Sequence, residues 1–532
     1  MNGPWKTFRW GGRVLLALLL IPASFLVASH LAAQEYTHPT LLSMPEPRDP
    51  RPDPMDVRVE LENGVVVYVV PDATVPLVTV SVFLAAGRAH GAPGAADALA
   101  GVLRSRGPAG FQGPTAFQGP GQLSWGERLR EMNALLRVEV GAEEMEVTLD
   151  LPAHRAAEGL DLLARLLTSP ALDGVEPEGL LGGVIRRSPS EMAAGESGPV
   201  LYEGSLDEAV RLFHDHLLEG TRYAPSLSPG EAAALTLPQL RAFHAYATRE
   251  ARMVVALSGD FQRRDAEAWL QGSFGAGDFR GVEPAGEGPE GRRQGDAVPP
   301  GGVAMELRPE LVGGAPSPWP PRSGVLYPVD KLQGWVVLGH ELPPVPLEDE
   351  APLWVMNYIL GGGHFDARLF IEVRDKRGLA NTAGAFPSPN RAGPGAYTFR
   401  TYGRPETVPL LIRILQDEIQ RIRDEPVSPE ELQVAQGAYA EGEYGMWFHN
   451  GEATARTLAR EWLHSGQHDG TASFRERIRQ VTVADVQRVA RSYLHPGDLR
   501  MVLVGPWEAI QEVPALDGEP PVADFGEIWV VR

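Results

Sequence analysis

Apolar and polar positions alternate from residue 57 onward. Residues 57–71 read Val-Arg-Val-Glu-Leu-Glu-Asn-Gly-Val-Val-Val-Tyr-Val-Val-Pro, two strand-like runs around Asn63-Gly64, a pair suited to the left-handed backbone of a tight hairpin turn. Residues 77–86 form another apolar run, and 136–141 with 145–151 alternate as a second hairpin. Helical spacing covers 95–106, 127–135 and 156–167, with more helix up to Thr236. The unit that closes this stretch is Thr236-Leu-Pro-Gln-Leu-Arg-Ala-Phe-His-Ala-Tyr followed by Arg252-Met-Val-Val-Ala-Leu-Ser-Gly. It recurs near the end as Thr482-Val-Ala-Asp-Val-Gln-Arg-Val-Ala-Arg-Ser-Tyr followed by Arg500-Met-Val-Leu-Val-Gly. Each is a Thr-capped amphipathic helix, a loop and an apolar strand ending in Gly. Between the two copies, strands over 333–340 and 396–402 and helices over 351–360 and 408–423 repeat the order of the first half. This order predicts an α/β fold of two homologous halves, each a duplicated α/β unit with a mixed sheet packed against helices.

Residues 275–322 break the pattern: Gly, Pro, Glu and Arg dominate, which marks a linker between a first half at 34–274 and a second at 323–532. Within the first half, Gly110-Phe-Gln-Gly-Pro and Ala116-Phe-Gln-Gly-Pro form a short tandem repeat of turn formers, read as a surface loop. At the N-terminus, Lys6, Arg9 and Arg13 precede an apolar run over 14–28, and small residues follow at Ala32 and Ala33. That is the layout of a secretory signal over residues 1–33, shorter than the about 20 apolar residues of a membrane span. The expected location is therefore outside the cytoplasm, in the periplasm.

Composition narrows the chemistry. The net charge of −21 argues against a nucleic-acid partner, which would need clustered cations. The chain has no cysteine, so disulfides, thiolate nucleophiles and Cys-type zinc sites are excluded.

Several stretches together resemble the insulinase-like (pitrilysin) zinc peptidases and the mitochondrial processing peptidase group. The main one is Leu360-Gly-Gly-Gly-His-Phe-Asp-Ala-Arg-Leu-Phe-Ile-Glu-Val-Arg-Asp-Lys-Arg-Gly-Leu-Ala, similar to that family's second-half signature. Leu61-Glu-Asn-Gly, Val75-Pro-Leu-Val-Thr-Val-Ser-Val and Ala86-Gly are similar to its first strands, and Phe474-Arg-Glu-Arg-Ile-Arg-Gln-Val-Thr to its tail helix. The resemblance implies two halves forming a clam-like chamber around an extended peptide. It also implies, in active relatives, a His-x-x-Glu-His helix plus a later Glu. Two His and a carboxylate there hold zinc, and the motif's Glu acts as base on metal-bound water.

This chain departs from that pattern. If Gly94-Ala-Ala is the opening of the motif helix, Asp97, Ala100 and Gly101 stand in place of His, Glu and His, and the later Glu falls at Ser188, with Glu191 close by. Ala100 cannot be a base and Gly101 cannot be a ligand; Asp97 reads as a solvated or capping carboxylate at a helix start. No zinc or other cofactor is expected. His214 with His216, His464 with His468, and His449 with Glu452 were weighed as metal pairs; surface or capping roles suit them better. In the second half, the family's substrate-reaching Arg and Tyr correspond to Arg374 and Asn381, so the Arg is kept and the phenol is not. Arg374 reads equally as a peptide contact or as a solvated residue near Glu372 or Asp375. Gly361, Gly362 and Gly363 read as a helix stop or as a substrate contact. The segment 133–140 is similar to the family's peptide-accepting sheet edge, and reads equally as an interior strand.

The resulting expectation is a non-catalytic subunit that binds peptide or unfolded protein and pairs with an active zinc-peptidase subunit of the same family. The alternatives are an active zinc endopeptidase with an unconventional metal site and a purely structural subunit.

Overall fold

The computed structural model describes residues 49–110, 124–185, 204–275, 279, 318–512 and 522–531. The expected signal segment, most of the expected linker, both Phe-Gln-Gly-Pro stretches of the tandem repeat, Ser188 and Glu191 lie outside these residues.

Two mixed six-stranded sheets form the body. The first holds β1 (Arg58–Glu60), β2 (Val66–Pro71), β3 (Leu77–Leu84), β4 (Leu135–Val140), β5 (Met145–Pro152) and β6 (Met253–Gly259), in the order β1-β2-β6-β3-β5-β4. The second holds β7 (Ser323–Pro328), β8 (Gly334–Leu342), β9 (Ala383–Ser388), β10 (Gly395–Gly403), β11 (Arg500–Gly505) and β12 (Glu527–Val530), in the order β12-β7-β11-β8-β10-β9. In each, the closing strand of the half (β6 or β11) inserts beside the first long strand in parallel, β6 with β2 and β11 with β7. Gly64, at a φ of 82°, turns β1 into β2 as its Asn-Gly pair predicts.

The helices that matter are α1 (Ala95–Ser105), α2 (Ala156–Thr168), α3 (Leu206–Leu217), α4 (Leu237–Arg249), α5 (Leu347–Asn357), α6 (Val408–Asp424), α7 (Gly451–Ser465) and α8 (Val483–Tyr493). Thr236 and Thr482 cap α4 and α8 in matching capping boxes with Gln239 and Asp485. Successive strand residues point to opposite faces, and here both faces are buried. In β2, Val67 and Val69 join the core built with α1, α2 and α4, while Val66 and Tyr68 join a different one. That second core contains Ala455, Leu458 and Ala459 of α7, which crosses from the second half to pack on β2, β3 and β6. The exchange is mutual. Leu212 and Phe213 of α3, from the first half, pack with Val325, Tyr327, Val337, Val502 and Val504, on the face of the second sheet opposite α5, α6 and α8. Burying a single Leu such as Leu458 stabilises by about 2 kcal/mol, so each exchanged helix is held by several such terms. Each sheet therefore has one face covered by a helix from the other half.

The clasp is polar as well as apolar. Arg456, Arg460 and His464 are spaced four apart and so share one face of α7. Arg456 is ion-paired with the buried Glu146 of β5 and donates to Ser81 Oγ at 3.0 Å. Arg460 Nη2 lies 2.6 Å from Glu146 Oε2 and its Nε 3.3 Å from Glu144 Oε1. His464 Nε2 stands 2.9 Å from Glu144 Oε2. Next to them Glu143, in the β4–β5 turn, accepts from the Arg391 and Ala392 amides at 2.9 and 2.8 Å and from the Tyr223 hydroxyl at 3.1 Å.

Candidate functional site

Helix α1 carries Asp97, Ala100 and Gly101, the positions that the sequence sets against the family motif. It starts at Gly94 in a left-handed conformation, with no side chain capping it. Asp97 follows in the first turn and is only 6% exposed. It is neither solvated nor a cap, which corrects the sequence reading. Arg88 grips it with both forks: Nε lies 2.9 Å from Oδ2 and Nη2 lies 2.8 Å from Oδ1. A carboxylate can be buried this way because a guanidinium satisfies its charge and its lone pairs together. Ala100 is fully buried among apolar neighbours. Gly101 faces Leu180, whose Cβ would lie 3.1 Å from a Cβ built at position 101. An imidazole there would have to displace that leucine.

These residues do not fit zinc. The one carboxylate is already paired with a cation, and the other two positions offer no donor atom. Among the described residues, no group of three His, Asp or Glu side chains stands where it could hold a metal ion. A shallow cleft opens beside the pair, lined by Arg88, Asp97, Glu219, Thr221, Arg222 and Glu231. Its walls carry both signs of charge.

The histidine pairs weighed from the sequence each part company. His214 Nδ1 meets the Val210 carbonyl oxygen of its own helix at 2.7 Å, while His216 Nε2 meets the Tyr327 hydroxyl at 2.6 Å. His464 belongs to the clasp, whereas His468, beyond the end of α7, meets the Tyr68 hydroxyl at 2.8 Å. His449 Nδ1 is 2.6 Å from the Met446 carbonyl oxygen.

The second-half signature folds into one packed unit. Helix α5 runs into a wide π-type turn, Tyr358–Gly362, that packs on β9 together with Arg368–Phe370. A methyl added at Gly361 would stand 2.4 Å from the Ala385 amide nitrogen, so glycine lets the turn reach the β9 backbone. Methyls at Gly362 and Gly363 would meet Asn357 at 2.6 Å and the Tyr358 ring at 2.6 Å. The left-handed residue that ends the turn is His364, at a φ of 48°, rather than any of the three glycines. Arg374 is exposed, with its guanidinium carbon 5.0 Å from the Phe370 ring centre and 5.4 Å from that of Phe365. Its expected neighbour Glu372 is engaged by Lys376 and Arg377 instead. Asn381 is exposed just before β9. Arg374 and Asn381 thus flank the unit whose interior the glycines line.

The sheet-edge alternative resolves in favour of an edge. Among the described residues β4 pairs only with β5. Leu135 is 56% exposed on it, while Arg104 of α1 donates to the Val138 carbonyl oxygen at 3.1 Å. The edge is open along part of its length and guarded by one guanidinium. No helix among the described residues is long and apolar enough to cross a membrane.

Residues 234–439 match the family model described as the peptidase M16 inactive domain. An uncharacterized zinc protease of Mycobacterium bovis is 27% identical over 267 residues, 50% of this chain and 55% of that protein. The chain thus spans about half the length of such curated relatives, as the 55% figure states. Among solved structures, a peptidase M16 inactive domain from Pseudomonas fluorescens aligns with a TM-score of 0.61 at 20% identity, over 84% of this chain and 97% of that one. The periplasmic protease PqqL from Escherichia coli aligns with a TM-score of 0.56 at 13% identity, over 84% of this chain and 45% of PqqL. Duplicated sheets, the glycine-lined turn on β9 and these likenesses agree: residues 234–439 match the peptidase M16 inactive domain, and the fold is that of the insulinase-like, or M16, peptidases.

Proposed function

We propose that this chain is the non-catalytic subunit of an exported two-subunit peptidase. It offers an extended peptide the free edge of β4 and completes a chamber with a partner that carries His-x-x-Glu-His. The observation that carries the reading is the Arg88–Asp97 pair, with Ala100 and Gly101 packed beneath it: a cation of the chain itself stands against the carboxylate, and no base lies one helical turn on. The exchanged helices support a chamber made with a second chain, since both faces of each sheet are already covered within this one. The match to only 45% of PqqL supports it too, because that chain is long enough for a second unit of this size. Export is supported by the basic-then-apolar pattern of residues 6–33 and by the periplasmic location given for PqqL.

Peptide addition along β4 would use main-chain N–H and C=O groups, with side chains only modulating it. Arg374, on the exposed rim of the second half, supplies a cation for peptide carbonyls. Purified protein should contain no stoichiometric zinc, cleave no peptide unaided, and bring down an M16 peptidase when isolated from its native host. Stoichiometric zinc with chelator-sensitive cleavage would overturn the reading. Failure of the isolated chain to bind any extended peptide would reduce it to a structural subunit.

A further inference from the structure

The two sheets are completed differently at the edge opposite β4 and β9. In the first, β1 belongs to a hairpin with its neighbour β2 and runs antiparallel to it. In the second, the place is taken by β12, a strand remote in sequence that runs parallel to β7 in the register Glu527↔Ser323, Ile528↔Gly324, Trp529↔Val325 and Val530↔Leu326. The docking is keyed. Gly324 leaves a notch in which Ile528 sits: a methyl at Gly324 would lie 2.8 Å from Ile528 Cδ1. Gly526, at a φ of 149°, lets the incoming chain pass Arg322, whose carbonyl oxygen would be 1.6 Å from any Cβ there. The Val531 amide then donates to the Leu326 carbonyl oxygen at 2.9 Å.

The same strand is lightly held. It has four residues, three of them exposed, including Trp529 at 38% and Val530 at 36%. Among the described residues it pairs within the sheet with β7 alone. Short edge strands with so little buried surface open locally at far less cost than the core strands beside them. A specific notch combined with a weakly anchored occupant is the arrangement of a strand-accepting site filled by a segment of its own chain.

We propose that the outer edge of β7 is a second docking edge for extended peptides, parallel in sense and selective for a β-branched aliphatic residue at the Gly324 notch, and that β12 is the internal segment that covers it. The tether raises the local concentration of β12, so an outside peptide competes only when β12 is unseated. This site is separate from the β4 edge, and either can fail without the other.

The probe is a fluorescent peptide with the sequence of residues 526–532, Gly-Glu-Ile-Trp-Val-Val-Arg, read by anisotropy. A variant lacking residues 526–532 should bind it at least about tenfold more tightly than the full chain does. The same peptide with Asp in place of its Ile should lose about tenfold or more in affinity, because the notch is apolar. The full-length Ile528→Asp variant should also gain binding, which covers the case in which the shortened chain folds poorly. Hydrogen exchange on the unaltered protein gives an independent reading: the amides of Trp529 and Val531, the alternate positions that face β7, should exchange much faster than those of Val502 and Leu503 in β11. Absence of peptide binding by a folded, β12-free variant overturns the proposal, and so do β12 amides as slow as those of β11.

Discussion

The two halves share one strand order, yet the residues set around it differ in kind. In the first, the helix over the sheet begins with an ion pair sunk below the surface, Arg88 on Asp97, and the rest of its inner face is small and apolar. In the second, the matching region is a glycine-lined turn pressed onto β9, with its charges, Arg374 among them, held at the rim. The first half thus fills this region with small apolar side chains around one ion pair, while the second uses missing side chains to bring main chain against main chain. A duplicated backbone tolerates both solutions because strand pairing and the two buried faces depend on alternation rather than on any one of these side chains.

That contrast can be broken by measurement. The largest effect is expected at the clasp that joins the halves. Glu146→Ala removes the buried carboxylate that Arg456 and Arg460 share, leaving Arg456 with Ser81 and Arg460 with Glu144, and should cost about 3 kcal/mol in urea denaturation, the low end for a broken buried pair. Asp97→Ala should cost less, because Arg88 borders the open cleft; the reverse order would make the Arg88–Asp97 pair, not the clasp, the main polar lock.

Acid should come next. Burial holds His340 of β8 down at about 4, below its ordinary value of 6.5. The unfolded chain therefore takes up this proton first, and stability present above about pH 6.5 is lost progressively toward pH 4. A gap of that size corresponds to about 3 kcal/mol. His464 acts in the same direction, since burial depresses it more than Glu144 raises it. Glu144 is itself held below the usual carboxylate range: burial opposes this, but His464 and Arg460 prevail. Its contribution is lost on further acidification. Melting temperatures that stay flat from pH 7 to 4.5 would contradict this.

Gly361→Ala should follow, at about 1–3 kcal/mol, since the added methyl meets the β9 main chain. The smallest change is expected for Arg374→Ala: under about 0.5 kcal/mol in stability, as for an exposed cation, but a measurable loss of peptide affinity. An Arg374 variant that binds peptide normally would remove the second half from recognition.

Much of this fold was legible from alternation. The Asn63-Gly64 hairpin, the β4–β5 pair and the two Thr-capped closing units sit within a few residues of where the pattern puts them, because each is defined by local turn or cap chemistry. The exchanged helix α7 was not. Arg456, Arg460 and His464 resemble a solvated face, and only the fold brings Glu144 and Glu146 opposite them. Strand β12 is four residues long, too short for periodicity to register. At the site, the absence of any His-x-x-Glu-His was plain from the sequence. The role of Asp97 was not, since its partner Arg88 precedes the helix in a loop and nothing in the spacing pairs them.

The mutual crossing of α3 and α7 also bears on biogenesis. The inner face of the first sheet, with Tyr68, Phe83 and Val254, has no cover until residues 451–465 have emerged from the ribosome. A nascent chain halted before that point exposes a two-sided sheet with one side bare, the kind of surface that self-associates or recruits chaperones. The first half made alone should therefore be recovered as insoluble material, and should become soluble when the second half is co-produced.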